Sequence, residues 1–220
     1  MKTYRALNSH MGWHKQELRL PCVLAALCAL ALLYGCSSDR TSLPKLHYDA
    51  TILAFGDSIT VGIGAKNDQS YPAVLAQLTG RNVINAGVSG ELSVKGLKRL
   101  PQLLNRYQPD LLILCHAGND MLRKKDPDET EENLRKMIHL AQNRRIPVVL
   151  LGVPKPGLFL RSASFYEELA DEFDLPYDGD ILPDILADPS LKSDPIHPNA
   201  EGYRQIAERI YELLRDSGAV

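Results

Sequence analysis

The chain has 220 residues, 24% of them charged and 45% hydrophobic, with a formal net charge of −2. That length suits one domain with a short appendage and is ample for a sizeable core. Its 15 glycines and 14 prolines exclude collagen-like and low-complexity classes. A slight acidic excess, with no basic run after the first residues, argues against nucleic acid as the main partner.

Residues 1–20 carry Lys2, Arg5, Lys15 and Arg19 against a single acid, Glu17, and Cys22 to Tyr34 is unbroken apolar sequence. A membrane-spanning helix needs about 20 apolar residues, so this run is too short to span comfortably. A basic stretch, a short apolar stretch and then small residues is the layout of a secretory signal peptide. Leu33-Tyr34-Gly35-Cys36 also resembles the bacterial lipobox, which implies lipidation of Cys36 as the first mature residue. The expected organisation is a signal peptide over 1–35, a lipidated polar tether over 36–48 and a domain over 49–218. An ordinary signal peptide cut elsewhere and an uncleaved anchor are the alternatives. The lipobox reading places the protein in the cell envelope, anchored to a membrane. Ser37, rather than Asp, after the cysteine fits the periplasmic face of the outer membrane in a Gram-negative host. Both Met1 and Met11 are compatible starts. Cys22 and Cys28 leave with the signal, so Cys115 is the one remaining thiol and no intramolecular disulfide forms.

From Thr51 the chain alternates apolar runs with amphipathic stretches. Thr51–Phe55 reads as a strand ending at Gly56-Asp57-Ser58. Ser70-Tyr71-Pro72 opens a helix, with Ser70 expected as its cap and Pro72 in its first turn, that stops at Gly80. Asn82–Asn85 is a brief strand and Ala86–Leu92 a glycine-containing loop. Ser93–Tyr107 has a helical pattern that Pro101 is expected to break or kink. Leu111–Cys115 is apolar throughout and short enough for a strand buried on both faces. Asp128–Arg145 reads as an amphipathic helix with Leu134, Met137, Ile138 and Ala141 on its core face. Pro147–Val153 is the next strand, followed by a helix near Ala163–Phe173, a short strand Leu175–Tyr177 and a last helix Ala200–Arg215. Strands alternating with helices predict a three-layer α/β/α sandwich around a mostly parallel, roughly five-stranded sheet. In such a sheet, ligands bind outside the carboxyl ends of the strands. The loops beginning at Gly56, Gly87 and Gly118 are expected to lie there side by side.

A serine on a glycine-bearing turn just past a buried strand is well placed for nucleophilic attack. The sequence here is Gly56-Asp57-Ser58-Ile59-Thr60, not Gly-x-Ser-x-Gly, and alone it reads equally as a solvent-facing turn. A serine nucleophile needs a base, and the base an orienting carboxylate. Asp194-Pro195-Ile196-His197-Pro198 sets an acid and a histidine three apart in a stretch stiffened by prolines. Such spacing allows the carboxylate to meet Nδ1 and leaves Nε2 for a hydroxyl, though alone it also suits a loop whose side chains only bond the backbone.

Together with Asn85-Ala86-Gly87-Val88-Ser89-Gly90 and Ala117-Gly118-Asn119-Asp120, these blocks resemble the SGNH, or GDSL-type, hydrolase family, in order and over about residues 51–215. The resemblance implies the flavodoxin-like fold of that family. It implies Ser58 as nucleophile, His197 as base and Asp194 as its partner. The backbone N–H groups of Ser58 and Gly90 and the side chain of Asn119 would form the oxyanion hole. The blocks look closest to the bacterial thioesterase, lysophospholipase and arylesterase subgroup. The implied reaction is hydrolysis of short- to medium-chain acyl esters or thioesters, with lysophospholipids among the candidates. It would proceed through an acyl-enzyme with no metal and no organic cofactor. A carbohydrate O-acetylesterase and a non-catalytic lipid- or glycan-binding lipoprotein are the rival readings.

The third block departs from the family pattern, because Ala117 stands where a glycine is usual and His116 precedes it. His116 lacks a partner acid at the family spacing and is read as lying behind the site or lining its pocket rather than as the base. Cys115 reads as a small buried hydrophobe, Asp57 as a turn-fixing side chain, and His47 and His139 as surface residues. Gly62-Ile63-Gly64 is only part of a dinucleotide fingerprint. The segment Val153–Leu160, with Leu158 and Phe159, is expected to form an apolar wall of the acyl pocket.

Overall fold

A computed structural model of the protein describes residues 41–157 and 160–220. The expected signal peptide and lipidation at Cys36, and the side chains of Leu158 and Phe159, lie outside the described residues.

The strands are β1 (Thr51–Gly56), β2 (Asn82–Gly87), β3 (Leu111–Cys115), β4 (Val148–Leu151) and β5 (Tyr177–Asp178). They form one parallel sheet in the order β2-β1-β3-β4-β5. Every residue of β3 and β4 is buried, which accounts for their unbroken apolar sequence. β2 runs two residues past the expected Asn85, since all six of its residues pair in register with β1, Thr51 opposite Asn82 and Gly56 opposite Gly87. β4 and β5 are shorter than, or offset from, their apolar stretches. Val153 and Pro154 turn away from the sheet, and Pro154 bridges to Ser162 instead.

The helices are α1 (Ser58–Val61), α2 (Tyr71–Thr79), α3 (Ser93–Tyr107), α4 (Gly118–Leu122), α5 (Pro127–Gln142), α6 (Ser164–Phe173), α7 (Ile181–Ala187) and α8 (Ala200–Asp216). α2 packs with α8, while α3 packs with α5 and α5 with α6, giving a helical layer on each side of the sheet. α2 ends where Gly80 adopts φ 66°, a left-handed cap that glycine accepts without strain. The Ser70 hydroxyl does not cap α2, however; it donates to the Asn67 carbonyl at 3.0 Å.

The break expected at Pro101 does not occur, and α3 runs continuously through it. The proline removes one intrahelical bond, but Gly96, Leu100 and Leu104 bury one face of α3 and hold its two halves together. α5 ends three residues earlier than its apolar pattern suggests, at Gln142, and Arg145 with φ 59° begins the turn into β4.

The stretch read as a polar tether is docked in part, although Tyr48 stays exposed. Leu43 N–H donates to the Ser217 carbonyl at 2.8 Å and Leu46 N–H to that of Ala219 at 2.9 Å. Leu46 and Ala219 are both buried. The packed unit therefore reaches beyond the expected bounds of 49 and 218 at both ends.

Candidate functional site

With the order β2-β1-β3, the chain leaves β1 towards one edge of the sheet and crosses from β2 to β3 over it. The carboxyl end of β1 thus sits at the switch point where such sheets bind ligands. Gly56 ends β1, and α1 starts two residues later. A Cβ at Gly56 would lie 2.0 Å from the Cys115 carbonyl oxygen and 2.2 Å from Thr60 Oγ1. Only glycine lets α1 fold back this tightly, which puts Ser58 in the first position of the helix.

Asp57 fixes that turn. Its Oδ1 accepts from Ile59 N–H at 3.2 Å, and its Oδ2 accepts from Asn119 Nδ2 at 3.2 Å. Burial pushes the Asp57 carboxyl above its ordinary value, against the opposing pull of these hydrogen bonds. Asp57 is tied to the Asn119 amide and makes no hydrogen bond to Ser58 or His197 side chains. That link to Asn119 was not legible in the sequence.

The second half of the site precedes α8. Asn199 caps that helix, accepting from Glu201 and Gly202 N–H at 3.0 Å each. Ser193 N–H bonds the His197 carbonyl at 3.0 Å, closing the loop between them. Within it, Asp194 Oδ1 accepts from both Ile196 and His197 N–H at 2.9 Å, and its Oδ2 lies 2.7 Å from His197 Nδ1. His197 Nε2 lies 3.0 Å from Ser58 Oγ. The Asp194 carboxyl is held below its ordinary value: partial burial pushes it up, but the bonds from His197 and the two backbone N–H groups outweigh that. Tyr203 on α8 donates to the Ile63 carbonyl at 2.8 Å, joining this loop's helix to the turn after Ser58. The structure therefore brings together three side chains separated by up to 139 positions.

The remaining predicted residues lie on the neighbouring loops. A Cβ at Gly87 would approach Val61 N to 2.3 Å, and Val88 N–H bonds the Gly56 carbonyl at 3.1 Å. The β2 loop is thereby pressed against the Ser58 turn. Gly90 in that loop has φ 75°, and its carbonyl accepts from Arg123 at 3.2 Å. Asn119 opens into the cleft from α4. One amide hydrogen is taken by Asp57, which leaves the other for a ligand. The neighbouring Asp120 anchors the block: its carboxylate accepts from Ser93 N–H at 2.8 Å and Ser93 Oγ at 2.7 Å at the start of α3.

A cavity of about 230 Å³ opens beside Ser58 and Asn119. Leu122, Val153, Pro154, Leu160, Leu186 and Ile196 make most of its wall apolar, and Lys155 adds one cation. The described part of the Val153–Leu160 segment does face this cavity. His116, by contrast, is fully buried, lines none of it and makes no bond to Ser58. Cys115 is buried and free, and burial pushes its thiol upward, away from nucleophilic chemistry. His47 and His139 are exposed. Among the described residues, no group of three or more His, Cys, Asp or Glu side chains is placed to hold a metal ion.

Chemically, the arrangement offers a serine hydroxyl with a base and an oriented carboxylate behind it, beside an amide donor and an apolar pocket. That is the equipment of acyl transfer.

Comparison with known proteins points the same way. The chain is 31% identical over 173 residues to thioesterase 1/protease 1/lysophospholipase L1 of Escherichia coli K12, a match covering 75% of this chain and 83% of that protein. It is 30% identical over 199 residues to the arylesterase of Vibrio mimicus, covering 86% of this chain and 96% of the other. Among solved structures it resembles AlinE4, an SGNH-hydrolase family esterase, with 31% identity and a TM-score of 0.58 over 81% of this chain and all of the other. Residues 54–205 match the family described as GDSL-like lipase/acylhydrolase. The match takes in the Ser58 turn, both neighbouring loops and the Asp194–His197 loop, and the chain belongs to that family.

Proposed function

We propose that this carboxylic ester hydrolase cleaves short- to medium-chain acyl esters or thioesters with Ser58 as nucleophile. The observation that carries the proposal is the hydrogen-bonded series Ser58 Oγ, His197 and Asp194 at the mouth of an apolar cavity. Ser58 Oγ attacks the acyl carbonyl while His197 Nε2 takes its proton. The carbonyl oxygen becomes an oxyanion that receives the N–H groups of Ser58 and Gly90 and the free amide hydrogen of Asn119. Collapse breaks the bond to the alcohol or thiol, which leaves with the proton from His197. Water, deprotonated by the same imidazole, then attacks the acyl-enzyme and releases the acid. Asp194 holds the ring with Nε2 towards Ser58 and balances the imidazolium that forms twice per cycle.

The thioesterase, lysophospholipase and arylesterase relatives support a broad acyl substrate range, and the apolar wall supports chains longer than acetyl. A series of nitrophenyl esters from acetyl to decanoyl tests this. Activity extending into the medium chains is expected, and sharp restriction to acetyl would instead favour an O-acetylesterase.

The basic, apolar and small-residue order of residues 1–36 further supports a lipid anchor at Cys36 in the cell envelope. The described chain begins at the pole where the strands begin, Thr41 Oγ1 bonding Asp174 at 2.9 Å, whereas Ser58 lies at the opposite pole. Incorporation of labelled palmitate, lost in Cys36→Ala, is the expected result; equal labelling of both proteins would reject the anchor.

A further inference from the structure

The two loops that carry Gly90 and Asn119 leave different strands, and one buried side chain joins them. His116 Nε2 lies 3.2 Å from Oε2 of Glu91, the residue after Gly90. Its Nδ1 accepts the N–H of Ala117 at 2.7 Å, two residues before Asn119. Because Nδ1 is an acceptor, the ring proton sits on Nε2 and is donated to Glu91. Glu91 is held from its other side by Arg99, Nε at 2.9 Å and Nη2 at 2.6 Å, and the Arg99 guanidinium lies 4.3 Å from the centre of the Phe55 ring. The imidazole fits because residue 96 is glycine, where a Cβ would come within 2.4 Å of Nε2.

Ala117 has φ 81° and ψ 4°, a left-handed conformation that an L residue with a side chain seldom adopts. The Ala117 N–H bond to His116 fixes the peptide at that strained position, immediately before the helix that presents Asn119.

We infer that His116 is a positioning residue. With Glu91 it locks the Gly90 loop to the Ala117–Asn119 turn, so that donors from two strands keep a common aim at one oxygen. This rests on the reading of Gly90 and Asn119 as oxyanion donors. Asp120, bonded to Ser93, secures the same turn independently, so losing His116 loosens the Asn119 amide without releasing it.

The test is steady-state hydrolysis of a nitrophenyl ester by the purified full-length chain, with thermal melts to confirm folding. His116→Leu is expected to lower kcat about tenfold, less than outright loss of an oxyanion donor, with KM within about threefold of the parent. His116→Leu/Ala117→Gly should recover most of that loss, with Ala117→Gly as its reference, because glycine adopts a positive φ unaided. In an Asn119→Ala background, His116→Leu should cost little more, since the donor it serves is already gone. An unchanged kcat overturns the inference. So does a loss that glycine does not relieve and that adds fully to Asn119→Ala, which would mark a packing effect. Should the leucine variant not fold, His116→Asn, with a smaller polar side chain, is judged on kcat and on the same Asn119→Ala background. Ser58→Ala keeps the two levels apart: if it hydrolyses as fast as the parent, the reading of the site fails, whatever His116 does.

Discussion

At the scale of single residues, Asp194 shows how little sequence is needed to orient an imidazole. One oxygen is spent on two backbone N–H groups of its own turn, which leaves the other aimed at Nδ1 of His197. Asp194→Asn retains an oxygen for the turn but loses the charge that, in the proposed mechanism, steadies the imidazolium. A fall in kcat of roughly 10²- to 10⁴-fold with KM little changed is the expected outcome in steady-state kinetics, and a variant with full kcat would show that Asp194 only shapes the loop. Since the carboxyl is held below its ordinary value, it stays ionised into mildly acidic solution.

At the scale of elements, the tightest constraint is the turn from β1 into α1. Gly56→Ala places a Cβ within 2.0 Å of a backbone oxygen of β3, so the strand or the helix must move. A loss of at least about 2 kcal/mol in a denaturant melt is expected, with activity falling alongside; unaltered stability would mean that the turn has slack. Elements with a local signature were legible in the sequence. β1 and β3 are apolar runs bounded by turns, α5 has its apolar stripe, and the Ser58 and His197 blocks are contiguous motifs. Short α1, α4 and α7 lack a full amphipathic repeat and were not legible. Continuity of α3 through Pro101 was hidden for another reason, since burial of its core face decides the matter and propensity does not. Glu91 and Arg99 carry no signature in sequence, and although His116 and Asp120 stand beside or within the third block, the pairs these residues make span 8 to 27 positions. No spacing rule identifies such pairs.

At the scale of the whole molecule, a three-layer α/β/α sandwich brings both termini of the described domain to one pole and the site to the other. Its stability responds to pH through groups such as Glu91. Burial would raise that carboxyl, but hydrogen bonds from His116 and Arg99 overcome it and hold it at about 2, against an ordinary 4.5. The stabilisation from the ionised form is complete above about pH 4.5 and is lost as pH falls towards 2. The Tm advantage of the parent over Glu91→Gln should therefore shrink across that interval, and a constant difference would disprove the shift. The central claim, that Ser58 forms the acyl-enzyme, is tested most directly by a short nitrophenyl ester given to the parent chain and to Ser58→Ala under identical conditions. Hydrolysis by the parent, with the alanine variant at the buffer rate, is the predicted result; equal rates for the two proteins would contradict it.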